Sequence, residues 1–291
     1  MSTVSIYCGD CLAWLKAQPT DSVDLVLTSP PYVDARTYGI GFRHKGDAWV
    51  EWCLNRYLEC LRVSRGMVCW VVEGKTRQFE YDATPFSLLD GLRRRGAILR
   101  KPVIYKRVGI SGSGGPDWFR NDYELVVCAS RRRGKLAWSD NTSMGKPPKW
   151  DVGGAMSNRT ADGRRRNQQT TADGHYSKPK LANPGNVVEC IVGGGVMGSK
   201  LAHENEAPFP EKLAEFFIRS LCPPGGVVLD PFCGSGTTLA VAVLHGRNAI
   251  GVDVRSNQCD LSHRRVAEAR ERLQAIDRRP QDKRKSLTPR S

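Results

Sequence analysis

A strand, a glycine-rich turn, a helix and a second strand follow one another between residues 227 and 253. Residues 227–229 are an apolar run that predicts a strand ending at Asp230, and residues 237–245 have a helical pattern. Residues 249–252 predict the next strand, which ends at Asp253. A strand–helix–strand unit of this kind is half of a nucleotide-binding βαβ fold, so it constrains the chain to an α/β architecture.

The same alternation of strand and helix patterns runs through most of the chain. Short apolar runs at 4–7, 23–27 and 67–72 predict strands, and the last of them is almost continuously apolar, as buried parallel strands are. Residues 49–63 and 86–95 carry apolar or aromatic side chains at helical spacing. The pattern predicts an α/β sheet with both faces covered by helices.

The turn after residue 229 has the sequence Asp-Pro-Phe-Cys-Gly-Ser-Gly-Thr-Thr. Its glycines let the backbone pass close to a ligand, and Asp253, seventeen residues after Gly236, can accept hydrogen bonds from both hydroxyls of a ribose. Dinucleotide binding is the rival interpretation, but its fingerprint requires a third small residue where this chain has Leu239. A carboxylate at Asp230 also suits a cationic ligand, such as a sulfonium amino acid, better than a diphosphate. A turn that serves only the fold is the third interpretation.

A second motif, Thr28-Ser29-Pro30-Pro31-Tyr32, follows the apolar run at 23–27. The strand delivers a small hydroxyl, two rigid prolines and an aromatic ring to one place. Taken alone, the motif is equally well explained as a rigid turn at the edge of a sheet. Paired with the glycine-rich turn far downstream, it indicates the second half of a split site.

Together the two motifs resemble the signatures of the amino-methylating DNA methyltransferases. The catalytic signature precedes the cofactor signature, with a basic polar segment between them, and this order resembles the beta class of the family. Shorter segments at 8–11, 121–124 and 207–213 are similar to other parts of these enzymes. The chain departs from the family before residue 67, where it has Val-Ser-Arg-Gly in place of the usual Leu-Lys-Pro-Gly-Gly. The resemblance extends over most of residues 4–275 and is weak from 131 to 185.

The resemblance implies a Rossmann-like, mostly parallel methyltransferase sheet of seven strands, with helices on both faces and an irregular basic insert. It implies S-adenosyl-L-methionine as the cofactor and methyl transfer to an exocyclic amino group of a base rotated out of DNA, either cytosine N4 or adenine N6. The catalytic residues are then Ser29, Pro30, Pro31 and Tyr32. The cofactor-binding residues are Asp10, Thr28, Asp230, Pro231, Phe232, Cys233, Gly234, Ser235, Gly236, Thr237 and Asp253.

The chemistry of Ser-Pro-Pro-Tyr fits this reaction. An exocyclic amino nitrogen is a poor nucleophile, because its lone pair is delocalised into the ring. Acceptors beside its hydrogens, the Ser29 hydroxyl and the Pro30 carbonyl, would aim it at the sulfonium methyl group, and Tyr32 would stack on the base. The leaving group is already cationic, so neither a metal nor a covalent enzyme intermediate is required. The Ser29 hydroxyl can accept from either base; among related enzymes serine at this position favours cytosine N4, whereas aspartate accompanies adenine N6.

The chain has a formal net charge of +14, which favours contact with a polyanion such as double-stranded DNA. Residues 131–185 are rich in basic and small polar residues and poor in aliphatic ones, so they form either a disordered insert or a segment that orders on nucleic acid. Aromatic residues interleaved with the basic ones favour a target-recognition insert. Its candidate DNA-binding residues are Arg131, Arg132, Arg133, Lys146, Lys149, Arg164, Arg165 and Arg166.

This composition predicts one catalytic domain made of residues 1–130 and 186–277, with the catalytic motif first and the cofactor motif last. The target-recognition insert is 131–185, and residues 278–291 form a flexible basic tail. Residues 33–48, rich in glycine and charge, predict a mobile loop.

No apolar run approaches the length of a membrane helix, and the first five residues do not resemble a signal peptide. We therefore expect a cytoplasmic protein of a bacterial, archaeal or phage-infected cell. The ten cysteines are scattered through strand-like and helix-like segments, which is typical of free buried thiols, and no metal site is predicted.

Several alternatives stay open. The sequence is compatible with a homodimer, with a restriction endonuclease partner in a restriction-modification system, and with RNA in place of DNA. Methylation of a free small molecule runs against the basic charge, and methylation of a protein glutamine runs against the order of the motifs. An alternative from another functional class is a catalytically silent nucleic-acid-binding module. The presence of two intact motifs disfavours it.

Overall fold

The computed structural model describes residues 2–33, 39–109, 114–148, 157–159, 162–167, 180–192, 197–204 and 208–277. For the two short strands at 157–159 and 165–167 only the backbone is described. The predicted mobile loop at 33–48 lies partly, and the predicted tail at 278–291 wholly, outside the described residues.

Strands and helices alternate along the chain as the apolar runs predict. The strands are β1 (Val4–Cys8), β2 (Val23–Thr28), β3 (Ser64–Val72), β4 (Thr76–Arg77), β5 (Glu80–Tyr81), β6 (Ile98–Leu99), β7 (Val103–Val108), β8 (Tyr123–Ser130), β9 (Ser157–Arg159), β10 (Arg165–Asn167), β11 (Val187–Ile191), β12 (Val227–Asp230) and β13 (Asn248–Asp253). The helices are α1 (Cys11–Ala17), α2 (Gly46–Val63), α3 (Thr84–Arg94), α4 (Glu211–Leu221), α5 (Thr237–Leu244) and α6 (Ser256–Asp277), with a short 3-10 helix at Lys200–Glu204.

One large sheet carries the fold, and it has nine strands in the described part of the chain. Eight of them lie in the order β1-β13-β12-β2-β3-β8-β7-β11, and β6 pairs with β8. The five strands from β1 to β3 are mutually parallel, whereas β8 is antiparallel to both β3 and β7. The predicted mostly parallel α/β fold is confirmed. The sheet exceeds the expected seven strands partly because β6 has two residues and leaves no pattern in the sequence.

Side chains of the central strands alternate between two cores. On β2, Leu25 and Leu27 belong to the core formed with α4, α5 and α6, whereas Val26 packs with α1, α2 and α3. Trp49 and Tyr57 of α2 are fully buried in the second core. Because both faces of the sheet are covered, residues 25–27 of β2 and 67–72 of β3 form continuous apolar runs rather than alternating patterns.

The parallel strands end at one edge of the sheet, and β12 and β2 are neighbours there. From β12 the chain passes through α5 to β13 on one side, and from β2 it passes through α2 to β3 on the other side. The two connecting helices cover opposite faces of the sheet. Open α/β sheets bind ligands in the crevice at such a switch point, outside the carboxyl ends of the strands.

By their internal contacts the residues form two compact units, 1–139 with 186–291, and 140–185. The first unit contains the main sheet and its helices. The second contains the antiparallel pair β9–β10 and a bridge between Lys146 and Ala182. Its lower bound differs from the 131 proposed for the insert, and the recognition role of this unit stays a prediction.

No described helix combines the length and the apolar character that a bilayer span requires. All ten cysteines fall within the described residues and are free thiols; nine are buried, whereas Cys8 is exposed.

Candidate active site

A cavity of about 220 Å³ opens at the carboxyl edge of the sheet. Its walls come from the segments that follow β1, β2, β12 and β13, together with α2 and residues 208 and 209. The predicted site residues that line it are Asp10, Ser29, Pro31, Tyr32, Asp230, Pro231, Phe232, Cys233, Gly234, Ser235, Thr237 and Asp253. Thr28, Pro30 and Gly236 are buried behind this wall. The structure therefore brings the two motifs together at one cavity.

A short hydrogen bond joins the two motifs. The hydroxyl of Thr28 donates to Oδ1 of Asp230 at 2.5 Å, and both residues are buried. They are the last residues of β2 and β12, which are neighbouring parallel strands. The catalytic motif is thereby held in a fixed position relative to the cofactor motif.

Asp230 is a buried carboxylate at the end of β12. Burial raises its pKa to about 6, while the hydrogen bonds from the Thr28 hydroxyl and the Phe232 N–H lower it in part and the charge of Asp253 raises it further. The Phe232 N–H lies 3.1 Å from Oδ1 of Asp230. No neighbouring cation is among the causes of the shift. A buried carboxylate without a protein cation favours a ligand that brings a positive charge of its own.

The glycine-rich turn is braced by α6. The hydroxyl of Ser262 donates to the Gly234 carbonyl at 2.8 Å. Gly236 has a φ of +79°, in the left-handed region, and a Cβ at this position would lie 2.8 Å from the same hydroxyl. Arg265, which is fully buried, donates to the Ser235 hydroxyl at 3.3 Å. Position 236 therefore requires glycine for both its conformation and its space.

Two further carboxylates lie at the cavity, after β1 and at the end of β13. Asp253 accepts a hydrogen bond from the Gly234 N–H at 3.0 Å and pairs with Nε of Arg255 at 3.1 Å. Asp10 caps the first turn of α1 and pairs with Arg56 at 3.2 Å. Both carboxylates are therefore oriented before any ligand binds.

Aromatic rings form another part of the wall. The ring centroids of Trp52 and Phe232 are 5.5 Å apart, and the Arg56 guanidinium carbon lies 3.9 Å from the Trp52 ring centroid. All three residues line the cavity. Flat apolar surfaces of this kind suit a planar heterocycle.

The backbone of the catalytic motif is anchored to α2. Nε1 of Trp49, which is fully buried, donates to the Pro31 carbonyl at 2.8 Å. The Pro31 carbonyl is therefore engaged inside the protein. Ser29 lies at the cavity wall, and its role as an acceptor for a substrate amino group stays a prediction.

Tyr32 is anchored at the other end of its side chain. Its hydroxyl donates to Oε2 of Glu124 at 2.6 Å, and Oε1 of Glu124 pairs with Nη1 of Arg107 at 3.3 Å. Sequence reasoning did not identify Trp49, Glu124 or Arg107 as parts of the site. The only signal was that Glu124 belongs to the segment 121–124, which resembles a family element; a single sequence does not show that this segment lies beside Tyr32.

Two of the predicted DNA-binding residues lie on the side of the main sheet that is opposite the cavity. Arg131 and Arg132 pair with Asp21 at 3.1 and 2.7 Å. These three residues lie just before β2 and just after β8, at the amino edge of the parallel strands and therefore opposite the cavity. Among the remaining predicted residues, Arg133, Lys146 and Arg164 are exposed, Lys149 lies outside the described residues, and only the backbone of Arg165 and Arg166 is described.

Comparison with known proteins identifies a family. Residues 23–264 match a family of proteins described as DNA methylase. The orphan methyltransferase M.BamHII of Bacillus amyloliquefaciens is 30% identical over 266 residues, which cover 89% of this chain and 90% of that protein. The DNA adenine methyltransferase YhdJ of Escherichia coli K12 is 25% identical and covers 89% of this chain and 81% of its own length.

The structure is similar to that of the cytosine-N4-specific PvuII DNA methyltransferase. The two agree with a TM-score of 0.67 at 21% sequence identity, over 91% of this chain and 86% of the other. At this identity the similarity establishes a shared fold. With a family match over most of its length and a relative of 30% identity that aligns nearly end to end, this chain belongs to the DNA methylase family, whose members are S-adenosyl-L-methionine-dependent methyltransferases of amino groups at N4 or N6.

Proposed function

We propose that this protein transfers the methyl group of S-adenosyl-L-methionine to the N4 amino group of a cytosine rotated out of double-stranded DNA, at a specific site. The observation that carries the proposal is the buried hydrogen bond from Thr28 to Asp230. It joins the Ser-Pro-Pro-Tyr motif to the glycine-rich turn at one cavity, so a bound methyl donor and a flipped base would meet there.

The residues present fit S-adenosyl-L-methionine. This cofactor combines a sulfonium and an ammonium group with a ribose diol and an adenine ring. Asp230 offers a buried carboxylate whose pKa is not lowered by any cation among the causes found in the described part of the chain, and Asp253 offers an oriented carboxylate for the diol. Trp52 and Phe232 supply a flat wall for the ring. The charge and the shape of this donor set both match the cofactor.

When bound, the cofactor supplies an electrophilic methyl group on a cationic sulfur. Ser29 and the Pro30 carbonyl accept hydrogen bonds from the target amino group and direct its lone pair toward the donor. Tyr32 stacks on the flipped base and holds it in the cavity. After transfer the amino nitrogen loses one proton to solvent, so the site requires no strong general base.

Ser29 favours cytosine N4 through the preference of related enzymes for serine at this position. Adenine N6 is the alternative within the class, because a neutral hydroxyl accepts a hydrogen bond from either amino group. The similar proteins include both kinds, the cytosine-N4-specific PvuII enzyme and the adenine methyltransferase YhdJ.

DNA contacts are proposed for the basic residues of the insert. Lys146, Lys149 and residues 164–166 belong to the unit at 140–185. The segment 131–133 carries the other three arginines, and two of these must leave Asp21 before they contact phosphate. Phosphate contacts by such residues would position the duplex rather than read its sequence.

The decisive experiment incubates the purified protein with S-adenosyl-L-methionine and long unmethylated phage DNA, then identifies the modified nucleoside by mass spectrometry. N4-methylcytosine is the expected product. N6-methyladenine would replace the favoured base by the alternative, and no methylated nucleoside, despite cofactor binding, would support the catalytically silent nucleic-acid-binding module.

Matched variants test the assigned roles. Ser29→Ala and Tyr32→Ala should each lower turnover roughly 100-fold or more and leave the cofactor dissociation constant almost unchanged, because both residues act on the base. Asp253→Ala should weaken cofactor binding first. Full activity in Ser29→Ala would remove Ser29 from the catalytic assignment.

A further inference from the structure

Glu124 is a buried carboxylate that the proposed reaction does not use. It lies near the start of β8, is 8% exposed, and accepts a hydrogen bond of 2.6 Å from the hydroxyl of Tyr32. Nothing in the chemistry of methyl transfer requires a carboxylate behind the stacking ring. Its placement therefore calls for a separate physical explanation.

The hydrogen bond restrains the hydroxyl end of the Tyr32 side chain. The backbone of the catalytic motif alone does not determine the orientation of this side chain. The prolines and the bond from Trp49 to the Pro31 carbonyl fix the backbone around position 32. They do not fix the two side-chain torsions of Tyr32, which set the plane of the ring. A bond at the hydroxyl, which is the atom farthest from the backbone, restricts both torsions together.

In its ionised form Glu124 strengthens this restraint. A hydrogen bond to an ionised carboxylate is stronger than one between neutral groups. The groups that face Glu124 are Tyr32, Arg107 on β7, Tyr105 opposite it in the sheet, and Glu73 after β3. Burial raises the pKa of Glu124, and the hydrogen bond from Tyr32 and the charge of Arg107, which lies 3.3 Å from the other carboxylate oxygen, offset part of that rise.

We infer that Glu124 is a positioning residue that fixes the ring plane of Tyr32 for stacking on the target base. The inference rests on the proposed function and adds to it a residue that does not touch the base. The competing explanation is purely structural: Glu124 would pair with Arg107 to hold β7 and β8 together, and Tyr32 would be a passive neighbour.

A double-mutant cycle separates the two explanations. The variants are Glu124→Ala, Tyr32→Phe and the double variant, with Glu189→Gln as the matched control, because Glu189 is an exposed carboxylate that pairs with Lys106 of the same β7 strand at 2.8 Å. Turnover and KM are measured with tritiated S-adenosyl-L-methionine and long unmethylated phage DNA, alongside the cofactor dissociation constant and the melting temperature.

Positioning through Tyr32 predicts that Glu124→Ala lowers kcat about tenfold, with the cofactor dissociation constant unchanged. In the Tyr32→Phe background the same substitution should change kcat less than twofold, because the hydroxyl is already absent. Glu124→Gln, which keeps a neutral acceptor, should recover part of the loss, and Glu189→Gln should match the wild type. An equal loss of kcat in both backgrounds, or no loss in Glu124→Ala, overturns the inference.

A spectroscopic test does not depend on methylation. In protein labelled with ¹³C at the ζ carbon of tyrosine, the resonance that disappears in Tyr32→Phe belongs to Tyr32. This resonance should shift in Glu124→Ala and stay in place in Glu189→Gln; an unchanged resonance overturns the inference. If the wild type binds the cofactor but methylates no DNA, the proposed function fails, and the resonance still tests the hydrogen bond between Glu124 and the Tyr32 hydroxyl on which the inference rests.

Discussion

Near each end of β2, a hydrogen bond to a carboxylate connects β2 with β12. The two carboxylates differ in their other partners. At the amino end, Asp24 pairs with Nε of Arg65 at 2.8 Å and accepts the Val227 N–H at 2.8 Å. At the carboxyl end, Thr28 donates to Asp230 at 2.5 Å, and no cation lowers the pKa of that carboxyl group. At both ends a neutral donor connects β2 with β12, but only the carboxylate of Asp24 also pairs with a cation, Arg65 of β3.

The difference indicates what each end is for. A carboxylate that pairs with a cation of the protein, as Asp24 does, contributes to the stability of the fold. A buried carboxylate whose donors are all neutral destabilises the protein in its charged form, and it becomes favourable when a cationic ligand arrives. A buried charge that has no counter-charge in the protein is expected at a functional site, where it lowers the stability of the free protein but favours ligand binding.

The largest expected effect comes from Asp230→Asn. Removing the negative charge should weaken S-adenosyl-L-methionine binding by about 3 kcal/mol, roughly 100-fold, because the cationic ligand loses its buried counter-charge. Isothermal titration calorimetry measures this directly. Without cofactor, the variant should unfold at the same or a higher temperature than the wild type. Asp24→Asn is the matched control, and an equal loss of affinity in both variants would erase the distinction between the two ends.

The second prediction concerns pH. Burial raises the pKa of Asp230 to about 6, so in the free protein this group is neutral below that pH and ionised above it. Cofactor affinity should therefore rise about tenfold from pH 5 to pH 7 and then level off, since the ionised form is the one that binds a cation. The stability of the free protein should follow the opposite sign: the contribution of Asp230 is present at low pH and is lost as the pH rises through about 6. Calorimetry between pH 5 and pH 7 on the wild type and on Asp230→Asn tests both the rise in cofactor affinity and the fall in stability. If the variant shows the same pH response, that response belongs to another titratable group.

The smallest effect is expected at the amino end. Asp24→Asn should lower the free energy of unfolding by about 1 kcal/mol, because it weakens a partly exposed ion pair and a hydrogen bond to the backbone. The affinity for cofactor should not change. Urea denaturation at neutral pH measures the first quantity and calorimetry the second. A loss of affinity without a loss of stability would place Asp24 in the site rather than in the scaffold.

Much of this comparison was predictable from local patterns. Asp230 was predicted as a site residue because it ends an apolar run and opens the glycine-rich turn, and Thr28 because it belongs to the motif that carries the family resemblance. The α/β fold followed from the alternation of strand and helix patterns, and the shared cavity of the two motifs followed from the family that they resemble. Each of these inferences depends on residues that are close together in the sequence.

The contacts that complete the site were not predictable in this way. The bond between Thr28 and Asp230 spans 202 positions, and the bond between Tyr32 and Glu124 spans 92. Similarly, the arginines at 131 and 132 were expected to face DNA, but the antiparallel course of β8 carries them to the opposite edge of the sheet from the catalytic motif. Their basic character was evident from the sequence, whereas their location was not.

The sequence by itself determined most of the longer strands of the main sheet and which functional groups follow β2, β12 and β13, because hydrophobic periodicity and turn chemistry are local properties. Only the tertiary structure decided which strand ends become neighbours, which carboxylates pair with a cation and which side chain holds the hydroxyl of Tyr32. The physical reason is that strand order and direction are set by burial of both faces of the sheet at once, a condition on the whole chain that no short segment contains.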